Sequence, residues 1–248
     1  MRRGHRPSQP VSGKPRFWGR HAVSAALANP ERTVRRIWVT REAAAAFGGF
    51  PAHVPTSFAE VTDLARLVPH DAPHQGIVIE VDPLDDIWLA DLLERGEGGS
   101  RPLVILDQVT DPHNVGAVLR SAAAFDALGI VTQDRHAPPE GGSLAKAASG
   151  ALEFVPWVRV VNLARALDEI GEAGYWRIGL TGAGRRSFAE AIGTAKVALV
   201  LGAEGEGMRQ NTEAHCDELA RLPISPRVES LNISNAAAIA LYALATRG

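Results

Sequence analysis

Cysteine is almost missing from this chain. Among 248 residues only Cys216 carries a thiol, which excludes an internal disulfide and any zinc site built from cysteines. No apolar run approaches the ~18 residues of a spanning helix, which excludes an integral helical membrane protein. The start, Met1-Arg2-Arg3-Gly4-His5-Arg6-Pro7, is basic with no apolar stretch behind it, so no secretory signal is expected. A reducing cytoplasm fits these absences best. Metal spacing is lacking too: His215 and Cys216 adjoin without a second ligand pair, and His74 and His113 stand singly, so no metal is expected. Lysine is scarce, with Lys14, Lys146 and Lys196 the only three among 26 basic residues. No segment repeats.

What is present is the composition of an ordinary globular protein, 46% hydrophobic and 22% charged. The net charge of -2 hides an asymmetry. Up to Arg41 the basic residues are Arg2, Arg3, Arg6, Lys14, Arg16, Arg20, Arg32, Arg35, Arg36 and Arg41, against the single acid Glu31. A basic leading segment on an acidic body suits a polyanionic partner. An arginine-rich genome is the plainer account of the arginine count, and explains the clustering less well.

Residues 1–15, with Pro7, Pro10 and Pro15 and few apolar side chains, read as a disordered basic tail. Residues 16–82 read as a small α/β module, with helices at His21–Ala28, Arg41–Phe47 and Ser57–Leu67 and strands at Val34–Thr40 and Gly76–Val81. Residues 83–101, ending in Gly96-Glu97-Gly98-Gly99-Ser100, have the composition of a linker. Across 102–248, apolar runs alternate with helical patterns: Leu103–Leu106, Gly129–Thr132, Phe154–Val158, Trp176–Thr181, Val197–Leu201 and Leu219–Ile224. Such alternation predicts an α/β fold with a mostly parallel sheet.

Three stretches carry candidate chemistry. In the first, Leu106 through Ala122, a strand ends and a helix begins, with Val115, Val118, Leu119 and Ala122 on one apolar stripe. Asn114 stands where an N-cap belongs, and Arg120 projects off the stripe beside the carboxyl end of a strand, where open α/β sheets bind ligands. In the second, Gly202-Ala203-Glu204-Gly205-Glu206-Gly207, two carboxylates argue against a phosphate cradle and favour a cationic or hydroxyl-bearing ligand. A tight glycine turn explains that loop equally well. In the third, Ser230, Asn232, Ser234 and Asn235 precede the alanine-rich run Ala236–Ala245; they read as caps or as a polar pocket wall. Gly182-Ala183-Gly184-Arg185-Arg186-Ser187 after a strand is an imperfect dinucleotide fingerprint and a weak signal.

These stretches, in this order, resemble the SpoU/TrmH family of RNA ribose 2′-O-methyltransferases within the SPOUT superfamily. The resemblance rests on Asp111-Pro112-His113-Asn114-Val115-Gly116 to Arg120-Ser121-Ala122, on Ser149-Gly150-Ala151-Leu152-Glu153, on Leu201 to Gly207 and on Glu229-Ser230-Leu231-Asn232-Ile233-Ser234. The front module, from Gly19-Arg20-His21-Ala22-Val23 to His74-Gln75-Gly76, resembles the family's ribosomal-protein-like RNA-binding domain. The layout is most like enzymes that methylate a guanosine ribose in 23S ribosomal RNA; transfer RNA guanosine and a catalytically silent RNA-binding relative are the alternatives. The resemblance implies S-adenosylmethionine as methyl donor, no metal, a trefoil-knotted carboxyl-terminal domain and a homodimer. It places catalytic roles on Asn114, Arg120, Glu204, Ser230 and Asn232, and donor contacts on Thr181, Gly182, Gly202, Leu222 and Leu231. The chain departs from the family pattern at Pro226, where glycine is usual, losing an N–H and fixing φ.

Overall fold

The computed structural model describes residues 13–193 and 195–247, so most of the basic tail, residues 1–12, lies outside the described residues. The first unit runs β1 (Arg16–Trp18), α1 (Arg20–Ala28), β2 (Val34–Val39), α2 (Arg41–Phe47), β3 (Thr56–Phe58), α3 (Val61–Ala65) and β4 (Ile77–Val81). Its four strands lie in the order β1-β4-β2-β3, with β3 parallel to β2 and the other pairs antiparallel. The stretch expected as one helix, Ser57–Leu67, is instead an exposed edge strand followed by a short helix. Thr56–Phe58 is exposed throughout, so no buried-exposed alternation marks it as a strand.

A helix, α4 (Leu89–Arg95), lies inside the stretch read as a linker. Leu89 and Leu92 are buried against β-sheet residues of the second unit, so this connection is packed. Gly96 is packed as well: a Cβ there would lie 2.5 Å from the Leu128 side chain.

The second unit continues with β5 (Leu103–Asp107), α5 (Pro112–Ala124), β6 (Gly129–Gln133), α6 (Gly142–Ala148), β7 (Trp157–Val160), α7 (Leu163–Glu172), β8 (Tyr175–Leu180), β9 (Arg186–Ser187), α8 (Phe188–Ala191), β10 (Lys196–Gly202), α9 (Gln210–Glu213), β11 (Glu218–Arg221) and α10 (Ile233–Ala245). The expected strand at Phe154–Val158 starts later, because the chain makes a short 3₁₀ turn at Ala151–Glu153 and then meets Pro156. Seven parallel strands lie in the order β7-β6-β5-β10-β8-β11-β9. All five β5 residues are buried, as a parallel strand covered on both faces requires. From β5 the chain moves outward through β6 and β7, while β10 and β8 lie on its other side. The sheet therefore reverses direction at β5 and β10, and the crevice beyond their carboxyl ends is the switch point where such sheets bind ligands.

The two units are docked firmly. One hydrophobic cluster joins Phe17, Val23 and Ile77 of the first to Leu144, Ala148 and Leu152 of the second. Gly142 meets Trp18 so closely that a Cβ would fall 1.8 Å from its ring. Arg32, with a side chain 0% exposed, pairs with Glu140 and Glu153, 10% and 4% exposed, and donates to the Asp82 carbonyl at 2.8 Å. Burial holds the Glu140 carboxyl above the usual range despite the neighbouring guanidinium.

Candidate active site

Helix α5 begins earlier than the sequence suggests. Its N-cap is Asp111, whose side chain accepts from the His113 N–H at 2.9 Å, and Pro112 occupies the first turn where its missing N–H costs nothing. Asn114 is thus inside the first turn, released from capping, and its amide reaches across to the loop after β10. Asn114 Nδ2 donates to Glu204 Oε1 at 3.0 Å. The same oxygen accepts a short hydrogen bond from Asn232 Nδ2 and one of 3.4 Å from the backbone N–H of Ile233. Asn232 Nδ2 also donates to Asn114 Oδ1 at 3.0 Å.

The orientation of these amides is fixed by chemistry. Asn232 caps α10, and its Oδ1 accepts from the N–H and hydroxyl of Ser234. Its Nδ2 must therefore face Glu204, which only accepts when ionised. Three donors from two separate stretches thus converge on the carboxylate of a third at the switch point.

Two features that the sequence reading missed hold this arrangement. Asp107, 0% exposed at the end of β5, accepts from the Arg209 backbone N–H and from its Nε, each at 2.9 Å. This pair ties the end of the 203–208 loop to the neighbouring strand. The signal was an acid ending an apolar run, but its partner lies 102 positions away. The loop itself closes through paired hydrogen bonds between Ala203 and Gly207, 3.1 and 2.9 Å. Gly202 lets the backbone pass, since a Cβ would sit 2.1 Å from the Gly207 carbonyl carbon.

The other expected residues are placed less closely together. Arg120 is exposed on α5 and has no hydrogen bond or ion pair among the described residues. Ser230 is exposed in the irregular segment 222–232. Leu222 and Leu231 flank that segment, both half-buried. The Thr181 N–H donates to the Ala220 carbonyl at 2.9 Å, and Gly182 faces open space. Pro226 fits without loss, because Val228 N–H donates to the Ser225 carbonyl at 3.2 Å, placing the proline at the second position of a turn. The imperfect fingerprint opens no long helix: Gly184 packs on the Ala220 backbone, Arg186–Ser187 forms β9, and Ser187 caps only the four-residue α8.

A second surface lies on the first unit. The guanidinium groups of Arg16 and Arg36 lie 5.5 and 5.6 Å from the Trp38 ring, and that of Arg41 lies 5.3 Å from the exposed Phe58 ring. An exposed ring and a half-buried one, each beside arginine, suit unstacked RNA bases and phosphates.

Residues 101–242 match the SpoU rRNA Methylase family, and residues 17–86 match the RNA 2′-O ribose methyltransferase substrate binding family. The chain belongs to the SpoU methyltransferase family. It is 36% identical over 243 residues to a 23S rRNA (guanosine-2′-O-)-methyltransferase of Pseudomonas aeruginosa, covering 92% of this chain and 94% of that protein. It is 39% identical over 235 residues to an uncharacterized tRNA/rRNA methyltransferase of Synechocystis, covering 91% of this chain but only 61% of that longer relative. The crystal structure of the SpoU methyltransferase AviRb from Streptomyces viridochromogenes shares the fold, with a TM-score of 0.77 at 22% identity over 94% of this chain and 89% of AviRb.

Proposed function

We propose that this chain transfers a methyl group from S-adenosylmethionine to the ribose 2′-hydroxyl of a guanosine in 23S ribosomal RNA. The observation that carries the reading is the convergence of Asn114, Glu204 and Asn232 at the sheet's switch point. The names of the Pseudomonas relatives support the substrate, and the AviRb fold has been solved in complex with AdoMet. Relatives named tRNA/rRNA methyltransferases, in Synechocystis and Bacillus subtilis, keep transfer RNA as the second reading.

The residues present fit the donor. Leu222 and Leu231 offer half-buried apolar surface, Gly182 leaves open space beside the backbone, and Glu204 supplies the negative charge that a sulfonium favours. The donor supplies an already activated methyl group. What remains for the protein is orientation, which contributes ~7–11 kcal/mol in favourable cases. Glu204, held by two amides and a backbone N–H, fixes the relative positions of α5, the 203–207 loop and α10. Arg120 presents a planar fork of N–H donors and no acceptor, so its role is to clamp phosphate and polarise the hydroxyl.

In this reading the enzyme is a cytoplasmic homodimer with a knotted second unit, and each subunit lends Arg120 to the other's site. Arg120 is exposed on α5, and α10, which packs on α5, exposes Ile239 and Tyr242; apolar surface of this kind next to the helix that carries Arg120 supports that arrangement. Among the described residues no helix is long and apolar enough to cross a membrane.

Methyl transfer from labelled donor to 23S transcripts, with mapping of the modified ribose, tests the reading. Arg120→Ala is expected to lose transfer while retaining donor binding by calorimetry. Mixing Arg120→Ala with a Glu204→Gln variant is expected to restore part of the activity in mixed dimers. Near-normal turnover by Arg120→Ala, or methylation confined to transfer RNA, would overturn it.

A further inference from the structure

We propose that the junction between the two units is a binding site for an RNA backbone phosphate, built by Lys146 and Arg20 around Gln75. The proposal rests on the reading that the substrate is RNA. Lys146 Nζ donates to Gln75 Oε1 at 2.9 Å, and the backbone N–H of Arg20 donates to the same oxygen at 3.0 Å. With Oε1 committed as acceptor, the Gln75 amide nitrogen turns the other way, and it makes no hydrogen bond among the described residues. An ammonium and two free amide hydrogens thus collect where the units meet, beside the exposed Arg20 at the start of α1.

Among the described residues neither Lys146 nor Arg20 forms an ion pair. The other two lysines are engaged, Lys14 with Asp82 and Lys196 with the Gly96 carbonyl. Partial burial lowers the Lys146 pKa with no carboxylate to offset it, so the ammonium lacks an anion.

The backbone at Gln75 is held in a costly conformation. Gln75 has φ +54° although it is not glycine, and Gly76 follows at +80°. The Thr40 N–H donating to the Gly76 carbonyl at 2.9 Å, and the Gly76 N–H donating to His74 Nδ1 at 3.2 Å, over-determine this turn. Gly19, at φ +85°, leaves room for the lysine, since a Cβ there would lie 2.4 Å from Nζ. Strain of this kind persists where a position serves a purpose. The helix that bears Lys146 also packs on the helix that bears Asn114. Lys146 sits on α6, which packs on α5 at Gly116, two residues from Asn114. A phosphate held here belongs to RNA that spans both units on its way to the 2′-hydroxyl.

The test measures binding of a 23S ribosomal RNA transcript to the full-length protein across a potassium chloride series. Lys146→Met is expected to weaken binding several-fold at low salt and to reduce the slope of log affinity against log salt by about 0.7–0.9, one phosphate contact. Lys146→Arg should keep the slope. Donor binding and melting temperature should match wild type in both, and Lys146→Gln replaces Lys146→Met if that variant misfolds. An unchanged slope, or a fall in melting temperature with the slope intact, would show a purely structural strut and overturn the proposal. A Lys146-dependent slope in a protein that methylates no ribosomal RNA would uphold the phosphate site while removing the proposed reaction.

Discussion

Glu204 Oε1 receives three donors from two other segments, so a single carboxylate charge organises the site. Glu204→Gln keeps the shape but removes the charge that makes those hydrogen bonds roughly twice as strong. A loss of about 10²-fold in methyl-transfer rate is expected, the size of removing one preorganised electrostatic group. The far-ultraviolet circular dichroism of that variant should be unchanged. Cys216 makes a different point at this scale. Burial, only partly offset by Arg177, pushes its thiol up to about 12. Because that lies above the ~8.5 of a free thiol, its contribution to stability is whole below the free value and drains as pH rises toward the folded one. Alkylation at mildly alkaline pH should be slow in the folded protein and ordinary after unfolding. Across the same alkaline range, wild type should lose more stability than Cys216→Ser.

Helices α5 and α6 cross at Gly116, where backbone meets backbone. In an exposed helix, glycine to alanine gains about 1 kcal/mol from propensity. Here a Cβ would lie 2.6 Å from both the Leu144 carbonyl oxygen and the Ala147 Cβ, and a carbonyl cannot rotate away. The crowding cost of ~1–3 kcal/mol therefore wins. Gly116→Ala should lower the melting temperature by a few degrees and reduce methyl transfer, because the shift propagates to Asn114 two residues away. At the same scale, the extent of α5 was only partly legible. Val115, Val118, Leu119 and Ala122 are buried as their periodicity predicts, while the start moved from Asn114 to Asp111 because aspartate before proline is the better cap.

Over the whole molecule, Arg32 is the ionic element of the docking between the two units. Replacing it with methionine leaves Glu140 and Glu153 facing each other without a counter-charge, which costs about 3–5 kcal/mol. At ~2–4 °C per kcal/mol for a chain of this size, the melting temperature should fall by ~6–20 °C. Limited proteolysis should cut more readily between residues 83 and 101 as the units part. Replacing all three ionic residues with apolar ones should recover most of the loss, since no charge then remains to desolvate. A full recovery of stability with a lasting loss of RNA affinity would show that the pair orients the first unit as well as holding it.

The linear chain was enough to specify the α/β class, a mostly parallel sheet in the second unit and the polar character of the three stretches. Each depends on local rules: runs of buried residues, helical periodicity, and side chains with definite donors and acceptors. Which of those residues touch was decided only by folding. Insertion of β10 beside β5 brings Glu204 to Asn114 and Arg209 to Asp107, across 90 and 102 positions of sequence. Packing of α6 on β1 likewise brings Lys146 to Gln75 across 71. Contacts between distant segments carry no periodic signature, so strand order and close backbone approach, and not sequence pattern, settle where the charges meet.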